Sequence, residues 1–273
     1  MKKRLLFFLL FLSVNLYSQD FFTTYNNYYS NQIYPYKIKD LKRFGFKNHF
    51  LYNKKDLIAY KDSTEILNKL TSVVVKLKTQ IDIVRVINEL SILQNLKFIK
   101  FETSNFLKDD VKQKTFPNNI SLLKGIETIT FKGDPNWNLN QLFNQFSKLK
   151  KLKNLSFFSF KNNILLTENF VKIKTLESIH FNAGFGPKLP TNISKLKKLK
   201  TLIIQVNEYP NAKVEISKVK GISDLSINLH TDKSNEMNQI IGNFKSLKRL
   251  FISGKINTPK TLFTLISKHK KLH

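Results

Sequence analysis

The chain has no cysteine, a single tryptophan, and only 8 glycines and 7 prolines in 273 residues. Without cysteine there is no disulfide to staple a fold, no thiolate metal site and no lipid attachment through a thiol, so stability must come from packing alone. The glycines form no phosphate-cradling loop, and no serine sits in a nucleophile-elbow context. The histidines, His49, His180, His230, His269 and His273, stand at no metal-ligand spacing. Carboxylates are scarce too, 19 Asp and Glu against 46 Lys and Arg, which leaves a net charge of +27. These absences point away from a metal centre or a cofactor, neither of which is expected, and leave an enzyme, with an active site assembled from distant repeats, as the remote third reading. Past the first twenty residues no stretch approaches the roughly 20 apolar residues of a membrane-spanning helix.

Lys2, Lys3 and Arg4 precede an apolar run from Leu5 to Leu12 and a short polar stretch from Asn15 to Gln19. That is the layout of a secretory signal peptide. Residues 1–19 are therefore expected to be removed, with cleavage after Ser18 or Gln19. The mature chain is expected to be secreted, periplasmic or held at the cell surface. Richness in Lys, Asn, Ile and Phe, with the missing Cys, suggests a bacterial source.

What the sequence does have is a repeat. The clearest copy runs Leu189, Pro190, Ile193, Leu196, Leu199, Leu202, Ile204, Asn207, or LPxxIxxLxxLxxLxIxxN. Its centre recurs at Leu93, Leu96, Ile99, Phe101; Leu123, Ile126, Ile129, Phe131; Leu149, Leu152, Leu155, Phe157; Ile173, Leu176, Ile179, Phe181; Val219, Ile222, Leu225, Ile227; and Phe244, Leu247, Leu250, Ile252. The apolar residue three before each strand falls at 70, 96, 126, 152, 176, 199, 222 and 247, in steps of 26, 30, 26, 24, 23, 23 and 25. Leu41, Phe44 and Phe46 are a candidate for one earlier, degenerate copy.

A stripe spaced by three drifts around an α-helix, which advances about 100° per residue. Each run also changes from spacing three to spacing two at its end, as at Leu199, Leu202, Ile204, which is what a chain does on entering a short strand. Neither strand nor return segment can bury its apolar side alone, so neighbouring copies must stack into a shared core. Across about residues 67–255 the motif resembles the leucine-rich-repeat family, nearest to the bacterial short-repeat type. The resemblance implies an α/β solenoid with a curved parallel sheet on its concave face and short helical or irregular segments on its convex face. The asparagine that closes the family's motif is present only at Asn207; the matching positions hold Lys78, Ser104, Asp134, Phe160, Gly184, His230 and Lys255.

Three parts are expected: the signal peptide at 1–19, an N-terminal cap region at 20–66, and the repeats at 67–273. The cap region contains the cluster Tyr25, Tyr28, Tyr29, Tyr34, Tyr36 and would cover the first exposed core face. At the other end Ile266, His269 and Leu272 start a further copy that stops before its strand. Trp137, in the loop after Gly133, is expected to pack rather than to stand exposed.

Residues alternating with the buried strand positions should point to the concave face and align in three columns. The first holds Asn154, Ser178 and Thr201, the second Ser156, His180 and Ile203, the third Phe158, Asn182, Gln205 and Asn228. This nearly uncharged patch of hydroxyls and amides around Phe158 and Ile203 suits a protein or peptide ligand. Just before the strands, Lys150, Lys153, Lys197, Lys198 and Lys200 belong to a basic ridge that suits solubility or, as a second functional reading, an anionic surface polymer or lipid headgroup. Nucleic acid is not expected, because no aromatics interleave with the lysines.

Overall fold

An apolar residue at every third position stays on one side of the chain if the backbone completes a turn in three residues, the geometry of 3-10 and β-turns. In the computed structural model the leucine runs do this. The N–H of Leu96 donates to the carbonyl of Leu93, Ile126 to Leu123, Leu176 to Ile173, Leu199 to Leu196 and Leu247 to Phe244, each at 3.2 Å, and Leu152 donates to Leu149 at 3.3 Å. The structure describes residues 49–52, 70–77, 83–103, 116–133, 137–160, 166–183, 192–206, 219–229 and 244–254, with Ile241 and Ser267. The signal segment 1–19, the tyrosine cluster and the unfinished copy at Ile266 to Leu272 lie outside these residues. Among the described residues no helix is long and apolar enough to cross a membrane.

The strands are β1 (His49–Tyr52), β2 (Ser72–Leu77), β3 (Phe98–Thr103), β4 (Thr128–Lys132), β5 (Asn154–Phe160), β6 (Ser178–Ala183), β7 (Thr201–Val206), β8 (Asp224–Leu229) and β9 (Arg249–Gly254), and the described turns feed those from β3 onward. They form one sheet in sequence order, every neighbouring pair parallel. On entering a strand, two successive N–H groups converge on one carbonyl of the preceding repeat. Lys153 and Asn154 donate to Glu127 O at 2.8 and 3.0 Å, and Glu177 and Ser178 repeat the pattern on Lys153 O. This ladder satisfies backbone groups that open at the turn-to-strand junction. The result is an open solenoid of stacked turn-and-strand repeats.

The sheet starts earlier than the first clear repeat. Phe50 pairs with Val73 and Tyr52 with Val75. The early copy is therefore in register at 47, 50 and 52, and not at Leu41, Phe44 and Phe46. Its marker position is Lys47, which removes the apolar signal that identifies the other copies.

The core runs the length of the stack. One inward column reads Val73, Ile99, Ile129, Leu155, Ile179, Leu202, Leu225, all buried. The next holds Phe101, Phe131, Phe157 and Phe181, whose rings stack at 5.3, 5.4 and 5.6 Å within 17° of parallel. Trp137 is buried, as expected, with its ring edge-on to Phe116 at 5.0 Å and Phe131 at 4.9 Å.

On the convex side the two 26-residue steps carry α1 (Ile83–Leu90) and α2 (Leu139–Phe146), while 3-10 turns stand at Asn118–Leu122, Phe170–Lys172 and Ile193–Lys195. Amide side chains link these segments across repeats. Asn119 Nδ2 donates to Asn88 Oδ1 (2.7 Å), and Asn169 Nδ2 to Asn140 Oδ1 (2.8 Å). Gln141 bonds Phe116 both ways, accepting from its N–H at 2.6 Å and donating to its carbonyl. Turn also lies directly on turn. A Cβ on Gly125 would sit 2.8 Å from Leu96 O, one on Gly221 would sit 3.1 Å from Leu199 O, and at the equivalent place the Thr175 hydroxyl donates to Leu152 O.

Candidate functional site

The concave columns exist as the spacing implies. Thr128, Asn154, Ser178, Thr201, Asp224 and Arg249 are successive partners in the first, and Thr130, Ser156, His180, Ile203, Ser226 and Phe251 in the second. Lys132, Phe158, Asn182, Gln205, Asn228 and Ser253 are partners in the third. The side chains of Asn182, Gln205 and Asn228 lie outside the description, so register alone places them.

The columns differ in access to water. Asn154, Ser178 and Thr201 are half-buried, and Asn154 Nδ2 donates to Thr128 Oγ1 at 3.0 Å. The second column is buried: Ser156 is 1% exposed, Ile203 2% and His180 4%. It was expected to be open for hydrogen bonding, and the structure instead makes it an interior row. Strands stack about 4.8 Å apart, so each member has a neighbour above and below on the same face and an outer column on either side. Alternation along a strand tells which face a side chain takes, and not whether it reaches solvent.

His180 shows the electrostatic consequence. Burial lowers its pKa to about 3, because the imidazolium would lose its hydration, and at neutral pH it is an uncharged ring. The half-buried Phe158 ring meets it edge-on at 4.5 Å and 75°. Immediately after Phe158 the pairing with β6 shifts register, Phe160 partnering Ala183. Such irregularities re-aim the local chain and often stand beside binding sites.

The N-terminal end of the same face is charged. Lys100, buried in the second column, pairs with Glu102 at 2.6 Å, and Lys132 stands 4.0 Å from the same carboxylate. Thr130, between Lys100 and Ser156, has a buried hydroxyl with no hydrogen-bond partner. At the far end Asp224 accepts from Ser223 Oγ at 2.6 Å and from Arg249 Nε. Between these ends, from β5 to β7, the first two columns carry no charge. Among the described residues no group of His, Asp and Glu could hold a metal ion.

The lysine ridge divides into separate columns. Lys153 and Lys200 sit at the ladder position before the strand, where the series Lys97, Glu127, Lys153, Glu177, Lys200 alternates in sign. Lys153 Nζ meets Glu127 Oε2 at 3.1 Å. Lys150, Lys197 and Lys198 sit in the turns, and all are exposed. Spacing in the sequence merged the two groups; only the turn hydrogen bonds separate them.

No family model matches the chain, and no curated protein matches it. Solved structures similar to it include internalin C2 from Listeria monocytogenes, at 12% identity over 77% of this chain and 81% of that one, with a TM-score of 0.43. The leucine-rich-repeat ectodomain of the Arabidopsis receptor kinase HAESA, in complex with a peptide hormone, is similar at 11% identity over 71% of this chain and 32% of that one (TM-score 0.41). The Drosophila Toll–Spätzle complex is similar at 11% identity over 76% and 31% (TM-score 0.43). The chain thus spans most of the internalin and about a third of each of the other two.

Proposed function

We propose that the chain is an extracytoplasmic, non-enzymatic scaffold that binds a protein or an extended peptide along the concave face of its sheet. The observation that carries this reading is the contrast across β5 to β7. The half-buried hydroxyl and amide column Asn154, Ser178, Thr201 lies on one side of a buried row, and the half-buried Phe158 lies on the other. A buried row holds its neighbours in fixed rotamers, so less conformational freedom is lost when a ligand docks. The hydroxyls and amides both donate and accept, which suits a peptide backbone, and Phe158 offers an apolar anchor. Export is supported by the charged and apolar pattern of residues 2–19.

The test is a displayed random-peptide library panned on the protein, with selected peptides assayed on variants. The triple change Asn154→Ala, Phe158→Ala, Thr201→Ala is expected to weaken them by about 2 kcal/mol or more, some thirtyfold. Lys150→Gln, Lys197→Gln, Lys198→Gln should leave affinity nearly intact and mainly slow association at low salt. Loss with the lysine set and none with the concave set would overturn the proposal. Export is tested by mass spectrometry of secreted protein, which should begin at Gln19 or Asp20; an intact Met1 would contradict it.

A further inference from the structure

The turns that precede the strands are stacked copies of one another, and each has two central residues between the carbonyl acceptor and the N–H donor that close it. At the first central position, from the second described turn onward, stand Lys124, Lys150, Lys174, Lys197, Lys220 and Lys245, every one of them exposed. The second central position adds Lys151 and Lys198 and otherwise holds Gly125, Thr175, Gly221 and Ser246. Neither position holds a carboxylate. The alternating glutamates Glu127 and Glu177 sit two residues further on, in the column that contains Lys153 and Lys200. Among the described residues none of the six turn lysines makes an ion pair.

The contacts of Gly125 on Leu96 O, Thr175 on Leu152 O and Gly221 on Leu199 O show that the turns stack as closely as the strands do. The six lysine positions therefore line a row with a rise of about 5 Å per step, about 25 Å in all. Like charges this close repel one another, and solubility alone does not need them at one repeat position. A partner that neutralises them together must be extended and carry anions at short, regular intervals.

We propose that this turn-edge row is a binding track for a linear polyanion, a polyphosphate or an anionic polysaccharide, separate from the concave face. Both turn columns lack aromatic residues, so the track offers no platform for stacking nucleobases. The row is one or two lysines wide and six turns long, which suits a chain laid along it better than a planar bilayer. Affinity comes from displaced counterions and is steeply salt-dependent.

The experiment measures binding of the full chain to polyphosphate and dextran sulfate of graded lengths, with phosphatidylglycerol vesicles and charge-matched oligo-dT as the other arms. For about six contacts, affinity should fall on the order of a thousandfold between 50 and 200 mM salt, and it should rise with polymer length until the row is spanned. Changing all six turn lysines to Gln should cost about a hundredfold or more at low salt, while changing them to Arg should not. A control set of equal charge, Lys97, Lys148, Lys172, Lys195, Lys200 and Lys248 to Gln, should cost far less. Equal losses from the two sets would overturn the track, leaving only net charge. Preference for vesicles or for oligo-dT over both polymers would overturn the choice of partner. Should the sixfold Gln variant fail to fold, the Lys150→Gln, Lys174→Gln, Lys197→Gln variant against Lys148→Gln, Lys195→Gln, Lys200→Gln makes the same comparison.

Discussion

The stretches β3–β6 and β7–β9 solve one packing problem with different side chains. At the second inward position of each strand the first has Phe101, Phe131, Phe157 and Phe181 as a continuous stack of rings, and the second has Ile204, Ile227 and Ile252. Step length does not follow this division, since the step that contains Phe181 and the one that contains Ile204 are both 23 residues. The α2 return segment brings Phe143 and Phe146 inward, where Phe143 meets Phe157 and Phe170, and Phe146 meets Phe131 and Phe116. The steps after position 176 are 23, 23 and 25 residues, and Ile193–Lys195 there is only a 3-10 turn. In the first stretch aromatic residues of the return segments, Phe116, Phe143, Phe146 and Phe170, pack against the strand rings.

The largest expected effect would break the aliphatic stretch. Leu199→Asp or Leu202→Asp places an unpaired charge in a site no more than 2% exposed, which costs several kcal/mol and should abolish cooperative melting near the wild-type temperature. A melting point within a few degrees of wild type would show that the assigned register is wrong.

The next would break the aromatic stretch. Phe157→Ala should cost about 3–5 kcal/mol in a urea titration. Phe157→Ile, which puts an aliphatic side chain into the ring stack, loses two stacked neighbours and should cost about 1–3 kcal/mol. If Phe157→Ile were neutral, the stacked rings would contribute nothing that an aliphatic side chain does not.

His180 borders both stretches and makes the array acid-sensitive. Its folded pKa is lowered to about 3 from the ordinary 6.5, so the unfolded chain takes up the proton first. Its contribution is complete above pH 6.5 and declines as pH falls from there towards 3, by on the order of 2 kcal/mol at pH 5. His180→Asn should flatten that part of the pH–stability curve, and an unchanged slope would place the ring in water.

Smallest are the two glycines at equivalent turn positions. Gly125→Ala drives a Cβ to 2.8 Å from a backbone carbonyl and should cost about 1–3 kcal/mol. Gly221→Ala, at 3.1 Å, should cost less. Equal melting points would mean that the turns stack equally closely in both stretches.

Much of this was legible in the sequence because a solenoid is nearly one-dimensional. The change from spacing three to spacing two fixed β2–β9 and all three concave columns, since each repeat contacts only its neighbours. The register of β1 escaped because Lys47 replaces the apolar marker. The burial of Ser156, His180 and Ile203 escaped because it depends on what flanks a side chain across strands. The split of the lysines escaped because Lys150 and Lys153 are three residues apart in sequence, yet one lies in a turn and the other on the strand-entry ladder. The two 26-residue steps carry helices and the described part of the 30-residue step carries only a 3-10 turn, so repeat length in the sequence did not announce which return segments become helical.

The account depends most on the in-register alignment of the columns, and the absence of cysteine permits a clean test by engineered disulfides. Asn154 and Ser178 are direct partners on parallel strands, with Cα atoms about 4.8 Å apart, within disulfide reach. Asn154 and His180 are offset by two residues, about 8 Å apart and beyond that reach. Under mild oxidation Asn154→Cys, Ser178→Cys should cross-link readily, as read by the mass of the peptides joined after proteolysis, and Asn154→Cys, His180→Cys should not. Cross-linking of the offset pair in preference to the aligned one would contradict the register, and with it the columns on which the proposed binding face is built.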